Sequence, residues 1–181
     1  MIFLAFFLAL ITISSYAADE SCSVNTADRE KEDAEKCLIM LKPDTVNRGL
    51  VGELIQRFEK KGFTLLEMKM VQAERSVLEE HYQEHTGKSF FPGLLDYMVS
   101  GPVVPMVWRG KNIITISRRM LGATDPLESL PGTIRGDLGV SKQMNLCHVS
   151  DSLDSAEREI KLWFPESNSS KRIDPLSAWK A

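Results

Sequence analysis

The segment Asn145-Leu146-Cys147-His148-Val149-Ser150-Asp151-Ser152 carries the clearest structural signal in this chain of 181 residues. Two apolar residues lead into His148, as in a short strand that ends on a polar side chain. A Ser-Asp-Ser run then opens a helical pattern from Leu153 to Trp163, and both residue types are preferred helix N-caps. We therefore predict a strand that holds a histidine at the edge of a sheet, beside a helix N-terminus that favours anions. Taken alone, the segment leaves open whether His148 is structural or chemical.

The rest of the chain alternates between strand and helix patterns. Short apolar runs predict strands, and apolar residues at helical spacing predict helices. In chain order, we predict a strand at 37–41, a helix at 50–61, a strand at 63–71, helices at 74–85 and 91–99, a strand at 103–108, a helix at 112–121, a strand up to residue 148 and a helix at 153–163. This order indicates the α+β class. We expect a ferredoxin-like split βαβ fold, with a four-stranded antiparallel sheet and helices on one face.

Two segments depart from these regular patterns. Pro105 lies inside the third predicted strand, and proline cannot donate to a sheet ladder. We therefore expect that strand to lie at a sheet edge or to contain a bulge. Residues 123–144 show little periodicity, and a loop of this length inside a compact domain is usually functional.

Composition limits the possible classes of protein. The hydrophobic fraction of 43% and the charged fraction of 26% are typical of a soluble globular domain. The formal charge of −3 argues against a general nucleic-acid binder, so no nucleic-acid partner is expected. Cys37 and Cys147 lie in apolar strand patterns and are expected to be buried, with no redox role. In an oxidising compartment Cys22 could pair with Cys37 or with another chain.

The N-terminus predicts a targeting segment. Residues 2–13 are apolar and uncharged, but they are shorter than the roughly 20 residues of a membrane-spanning helix. Residues 1–17 fit a signal peptide cleaved after Ala17, which implies the secretory pathway or secretion. An uncleaved membrane anchor and a mitochondrial presequence are the alternatives. Residues 18–35 are polar and predicted to be a flexible lead-in, and Asn168 begins a glycosylation sequon.

Two short motifs invite functional interpretations that we do not favour. Gly87-Lys88-Ser89 resembles the end of a phosphate-binding loop, but the first glycine of that motif is replaced by Tyr82 and a helix precedes it. His81 and His85 match the H-x-x-E-H spacing of zinc peptidases. A zinc site would need a third protein ligand, so we expect these histidines to lie on a solvated helix face. A zinc peptidase is kept as a competing hypothesis.

Four segments together carry a resemblance to a known family: Lys42-Pro43-Asp44, Gly101-Pro102-Val103-Val104, Pro131-Gly132-Thr133-Ile134-Arg135-Gly136-Asp137, and Asn145 to Ser152. Over about Lys36 to Phe164, the chain resembles nucleoside diphosphate kinases. The resemblance implies a kinase domain at 36–165 and a divergent tail at 166–181. It also implies transfer of the γ-phosphate of a nucleoside triphosphate to a nucleoside diphosphate, by a ping-pong route through a phosphohistidine at His148.

The resemblance assigns roles to residues from distant segments. It implies that His148 is the nucleophile and that Glu159 orients it, which suits an imidazole whose other nitrogen must be held. Lys42, Arg118 and Arg135 match phosphate-binding cations, and Phe90 matches the residue on which the base stacks. The full predicted set is catalytic His148, Glu159 and Lys42, with nucleotide-binding Lys42, Tyr82, Phe90, Leu94, Arg118, Thr124, Arg135 and Asn145.

The resemblance also implies cofactors and partners. Mg²⁺ is expected to bind through the nucleotide phosphates, with no metal site of the protein's own. ATP and other nucleoside tri- and diphosphates are the expected partners, and a homo-oligomer, by resemblance a hexamer, is the expected assembly. Membrane attachment through the N-terminus is a further possibility. Val149 replaces the family's usual glycine, and Lys142 replaces its usual aliphatic residue. Val149 and the divergent tail leave open a catalytically weak nucleotide-binding or scaffolding member of the same family.

Overall fold

The computed structural model describes residues 35–166, and every structural statement below concerns that range. The predicted signal peptide, nearly all of the lead-in, Cys22 and the sequon at Asn168 lie outside the described residues. Within the range, no helix is both long enough and apolar enough to cross a membrane.

The chain forms four strands and seven α-helices in this range. Two single turns of 3-10 helix, Gln83–His85 and Pro126–Glu128, lie between them. The strands and helices, in chain order, are β1 (Lys36–Leu41), α1 (Pro43–Asn47), α2 (Val51–Lys60), β2 (Thr64–Met68), α3 (Arg75–His81), α4 (Phe91–Met98), β3 (Val104–Arg109), α5 (Ile113–Leu121), α6 (Ile134–Leu138), β4 (Cys147–Val149) and α7 (Leu153–Trp163).

The strands form one antiparallel sheet in the order β2-β3-β1-β4. This confirms the predicted α+β class and the ferredoxin-like arrangement. In β4, His148 lies opposite Met40 of β1. It is the middle residue of this three-residue edge strand, and its side chain is only partly buried.

The continuous apolar run in β1 has helices on both of its faces. Successive side chains of a strand point to opposite faces, and here they join two separate core clusters. Cys37, Ile39 and Leu41 pack in one cluster with α2 and α5, whereas Leu38 and Met40 pack in the other with α3, α4 and α7. The expectation of helices on one face was therefore wrong, because a strand that is apolar on both sides must be covered on both sides.

Pro105 was expected in an edge strand or at a bulge, but it lies in an interior strand, so the edge alternative was wrong. Its carbonyl accepts a hydrogen bond from the backbone N–H of Lys69 at 3.2 Å, one residue beyond the end of β2. The backbone N and C=O of a strand residue point to the same side. The N–H that Pro105 lacks would therefore face the end of β2, so few hydrogen bonds between the two strands are lost. The irregular register occurs in β2 instead, between Leu65 and Glu67.

The polar caps and the cysteines agree with the sequence predictions. The hydroxyl of Ser152 accepts a hydrogen bond from the backbone N–H of Ser155 at 3.1 Å and so caps α7. Cys37 and Cys147 are free and buried, and burial raises the pKa of both thiols to about 12. The long segment 123–144 contains only α6 and one 3-10 turn, and Arg135 of α6 donates to the carbonyl of Cys147 in β4.

Candidate active site

One cavity of about 960 Å³ collects all of the predicted site residues. They come from segments spread between residues 42 and 159. Lys42 and His148 can meet because β1 and β4 are neighbours in the sheet, although more than a hundred residues separate the two strands. The predicted residues that line the cavity are Lys42, Tyr82, Phe90, Leu94, Arg118, Thr124, Arg135, Asn145, His148 and Glu159. The structure thus brings the whole set together, while the role of each residue remains a prediction.

A buried carboxylate holds the imidazole of His148. Its Nε2 lies 3.1 Å from Oε2 of Glu159, a residue of α7 that is almost fully buried. The hydroxyl of Ser150 lies 2.7 Å from the same carboxylate oxygen and 3.2 Å from the backbone N and O of Leu38. Sequence analysis did not single out Ser150, although it begins the Ser-Asp-Ser run. The contact with Glu159 engages Nε2, so Nδ1 is the ring nitrogen that the carboxylate does not hold.

Lys42 extends from the end of β1 and is almost fully buried. Its Nζ donates to Oδ1 of Asn145 at 2.8 Å, and Nδ2 of Asn145 donates to the carbonyls of Thr124 and Lys142, each at 3.0 Å. Burial, reinforced by the nearby positive charge of Arg135, lowers the pKa of Lys42 to about 8. The proton on this side chain therefore depends on whether an anion lies beside it.

Arg135, on α6, ties the cavity wall to β4. Its Nε donates to the carbonyl of Asn145 at 3.0 Å, and its Nη2 donates to the carbonyl of Cys147 at 2.9 Å. Burial lowers the pKa of its guanidinium, and the charge of nearby Arg118 acts in the same direction. An arginine stays charged in spite of such a shift, so two like charges face one cavity.

A strained turn directly precedes the strand that carries His148. Leu146 adopts a φ of 77°, which is unfavourable for a residue other than glycine. Its N–H donates to Oδ2 of Asp44 at 3.2 Å, and the hydroxyl of Thr45 donates to its carbonyl at 2.5 Å. Oη of Tyr97 in turn donates to Oδ1 of Asp44 at 2.5 Å. Sequence analysis missed Tyr97 and Thr45, since nothing near them in the chain indicates contact with residue 146.

The cavity lining also includes an exposed aromatic ring. Phe90 is 53% exposed, and Leu94 and Lys142 line the same cavity. His85, which was not predicted, lies on the same wall with its ring 5.3 Å from that of Phe90. A half-exposed aromatic ring on a cavity wall is suited to stacking against a flat ligand.

His81 is buried, so the prediction of a solvated helix face was wrong for this residue. The predicted helix 74–85 ends at His81, which packs its ring 4.5 Å from that of His148. Among residues 35–166, the only group of three potential metal ligands within 4.8 Å of one another is His81, His148 and Glu159. His85 is not part of it, so the pair of histidines behind the zinc hypothesis does not share a metal-binding group.

The cavity joins an oriented imidazole to several positive side chains, which is the arrangement that a transferred phosphoryl group requires. The fold and the site therefore define a phosphotransferase. The family model of the nucleoside diphosphate kinases matches residues 35–169. The chain belongs to the nucleoside diphosphate kinase family, and its activity is phosphoryl transfer between nucleotides.

Curated relatives agree with this assignment. The chain is 58% identical over 132 residues to nucleoside diphosphate kinase 1 of Zea mays. The matched residues make up 73% of this chain and 89% of that protein. It is also 55% identical over 132 residues to the nucleoside diphosphate kinase of Drosophila melanogaster. Those residues make up 73% of this chain and 86% of the relative.

Solved structures show the same fold. The apo nucleoside diphosphate kinase of Encephalitozoon cuniculi superposes with a TM-score of 0.75 at 42% identity, and covers 80% of this chain and 98% of that one. The enzyme of Halobacterium salinarum, solved in complex with CDP, has a TM-score of 0.75 at 41% identity, and covers 81% of this chain and 97% of that one.

Proposed function

We propose that His148 is the phosphoryl acceptor in a ping-pong reaction between nucleotides. The lone pair of Nδ1 attacks the γ-phosphorus of a nucleoside triphosphate. The bond from that phosphorus to its bridging oxygen breaks, and the nucleoside diphosphate leaves with the electron pair. A terminal oxygen of a second diphosphate then attacks the phosphorus and regenerates the imidazole. The 3.1 Å contact between Nε2 of His148 and Oε2 of Glu159 carries this proposal.

That contact supports the proposal in two ways. A neutral imidazole that donates its Nε2 proton to the carboxylate keeps a free lone pair on Nδ1. When Nδ1 bonds to phosphorus, the ring gains positive charge, and the adjacent buried carboxylate offsets it. Ser150 holds the carboxylate in place through a 2.7 Å contact.

The phosphates are proposed to bind among Lys42, Arg118 and Arg135. These side chains line one cavity, where burial and then the charge of Arg135 disfavour the protonated form of Lys42. Like charges repel one another when no anion lies between them. A bound polyphosphate would neutralise this repulsion. Tyr82, Thr124 and Asn145 are proposed as the neutral ligands to phosphate and ribose.

The base is proposed to stack on Phe90, with Leu94 beside it. Stacking uses the face of the ring that every base has, so it does not select one base. The relative from Halobacterium salinarum was solved with CDP, which supports nucleotide binding by a cavity of this kind.

Mg²⁺ is proposed to accompany the nucleotide. In residues 35–166, the only three-residue group of potential metal ligands contains two imidazoles, which suit Mg²⁺ poorly. The residues present therefore fit an ion carried in on the phosphates, where it would offset their negative charge.

The alternative of a catalytically weak member has no observation in its favour. Val149 pairs with Ile39 in the ladder between β1 and β4, and its side chain is buried beside the cavity. The proposed catalytic groups lie together in spite of this valine.

Phosphate labelling tests the proposed intermediate. Incubation of the full chain with γ-labelled ATP is expected to give a label that is labile in acid and stable in alkali, and peptide mapping is expected to place it on His148. His148→Ala should carry no label, whereas His85→Gln should still carry one. An unlabelled wild type, or equal label on His148→Ala, would contradict the proposal.

Homo-oligomerisation, with a hexamer by resemblance, is also proposed. Large apolar side chains that are exposed in the single chain support it, among them Met70 beside the edge strand β2 and Leu127 and Leu130 in the 123–144 segment. Analytical ultracentrifugation should show a species of six chains, and a monomer at micromolar concentration would contradict this.

Entry into the secretory pathway through residues 1–17 remains a proposal from the sequence, with a membrane anchor or mitochondrial import as alternatives. N-terminal sequencing of the mature protein is expected to begin at Ala18. An intact Met1 would favour the anchor instead.

A further inference from the structure

A buried histidine that the proposed reaction does not use lies against the proposed nucleophile. His81 ends α3, and its side chain is completely buried. Its ring lies 4.5 Å from that of His148 and 4.4 Å from that of Tyr82, nearly perpendicular to each. A polar ring at this depth is costly unless its nitrogens have partners, so the state of its two nitrogens matters.

Trp163, the last residue of α7, determines which nitrogen of His81 carries the proton. Its indole Nε1–H can only donate, and the acceptor is Nδ1 of His81 at 3.2 Å. Nδ1 therefore keeps its lone pair, and the neutral ring has its proton on Nε2. Protonation of Nδ1 would place two N–H groups against each other, so this contact opposes an imidazolium at position 81. Nε2 has no hydrogen-bond partner within the described part of the chain.

The surroundings act in the same direction. Burial is the main reason why the pKa of His81 lies well below its ordinary value, and nearby positive groups lower it further. Arg158 donates to the carbonyls of Glu80 and His81 at 3.2 and 3.4 Å, which places a fixed cation at the end of α3. The titratable and charged groups around the ring are Lys42, Tyr82, Glu84, His85, His148, Arg158 and Glu159.

We propose that His81 is a positioning residue for phosphoryl transfer, a permanently neutral imidazole held by Trp163 that orients the ring of His148 and keeps a second positive charge away from it. This inference rests on the proposed function, since it takes His148 as the acceptor. Glu159 holds the acceptor ring at one nitrogen only. The perpendicular contact with His81 restricts rotation about that point.

Neutrality of His81 matters because of the charge that develops beside it. The ring of His148 becomes more positive as Nδ1 bonds to phosphorus. An imidazolium in van der Waals contact would repel that charge in a poorly solvated site and slow the transfer. The neutral ring, with its tautomer set by Trp163, avoids this across the pH range in which histidines ordinarily titrate.

Nitrogen NMR tests the state of His81 without any reference to activity. Two-bond ¹⁵N–¹H correlation spectra of the full chain, labelled at histidine, are recorded from about pH 5.5 to about pH 8.5, a range that spans ordinary histidine titration. Loss of one set of signals in His81→Gln identifies the residue. We expect a neutral ring with its proton on Nε2 across the whole range. Titration of His81 within the range, or a proton on Nδ1, would overturn the inference.

Replacement of Trp163 tests whether the neutral state of His81 matters for phosphoryl transfer. Trp163→Phe keeps an aromatic ring and removes the indole donor. The ring of His81 stays buried, but the contact that opposes a proton on Nδ1 is lost, so the pKa of His81 should rise toward its ordinary value. We expect a loss of kcat at about pH 6 that is about 5-fold larger than the loss at about pH 8, with the KM for nucleotide unchanged.

Trp108→Phe is the matched control. Trp108 is also completely buried, its Nε1 has no partner in the described range, and it does not line the cavity. This variant should lose stability without a change in the shape of the pH profile. A pH-independent loss of kcat in Trp163→Phe would mean that the tryptophan acts only through packing, which would overturn the role of His81. Absence of label on wild-type His148 would instead overturn the proposed function itself.

Discussion

The ammonium group of Lys42 donates to Oδ1 of Asn145 across 2.8 Å, although the two residues are 103 positions apart in the sequence. The contact joins the end of β1 to the turn before β4 and places a buried cation near His148. The consequences of this arrangement for pH, rate, stability and affinity are testable.

Nucleotide affinity is expected to weaken as the pH rises through about 8. Burial lowers the pKa of Lys42 from 10.5 to about 8, so the free enzyme loses this positive charge above that pH. A polyphosphate binds better to the charged form, so the KM for ATP should rise in alkaline solution. The same shift implies that the unfolded chain holds the proton up to a higher pH than the folded chain, so this group's contribution to stability increases between about pH 8 and 10.5.

The control for this prediction is Lys42→Arg. An arginine stays charged throughout the range, so the KM of this variant should vary little with pH even if its kcat is lower. A KM for wild type that stays constant from neutral to alkaline pH would contradict the role given to Lys42.

Glu159→Gln is expected to lower kcat by about 10- to 100-fold, in line with the loss of a partner that orients a reactive histidine. The amide can still accept a hydrogen bond from Nε2 of His148, but it no longer offsets the positive charge of that ring. Steady-state kinetics should show the change in kcat with little change in KM. Glu157→Gln is the matched control on the same helix, because Glu157 is exposed and pairs only with Lys161 in a surface contact. Similar losses in both variants would contradict the prediction.

Tyr97→Phe is expected to lower the free energy of unfolding by about 1 kcal/mol, since it removes a partly buried hydrogen bond to Asp44. Asp44 in turn holds the strained backbone of Leu146. Urea denaturation should show the loss as a lower midpoint with an unchanged slope. Asp96→Asn, next in sequence and exposed, removes only a surface ion pair with Arg75 and should change stability far less. An unchanged midpoint in Tyr97→Phe would show that the contact with Asp44 is dispensable.

Phe90→Ala is expected to weaken binding of every nucleotide by a similar factor, about 1–3 kcal/mol for one stacked base. Equilibrium titrations with ADP, GDP and CDP would measure this. Leu153→Ala, a change at an apolar side chain that is 57% exposed and lies outside the cavity lining, is the control. A loss confined to one base would indicate that another group reads the base edge.

The order of the strands and helices could be predicted because it depends on local patterns. Apolar spacing and cap residues act over a few positions, so the helix 153–163 and a cap within the Ser-Asp-Ser run before it were predicted correctly. The place of β3 in the sheet could not be predicted in this way. Pro105 indicated an edge strand or a bulge, but its missing N–H donor faces the end of β2, and only the pairing of the two strands reveals that.

The sequence by itself determined which side chains are available. It places one histidine directly before a capped helix, and it places lysine and arginine residues at positions that match a known family. The tertiary structure decided which of them meet. His81 and Trp163 are 82 positions apart, yet the hydrogen bond between them sets the tautomer beside His148. Local sequence does not encode such a contact, because it depends on how α3 and α7 pack on the same face of β1. The protonation state of a buried ring depends on that packing, since burial and hydrogen-bond partners determine which form is stable.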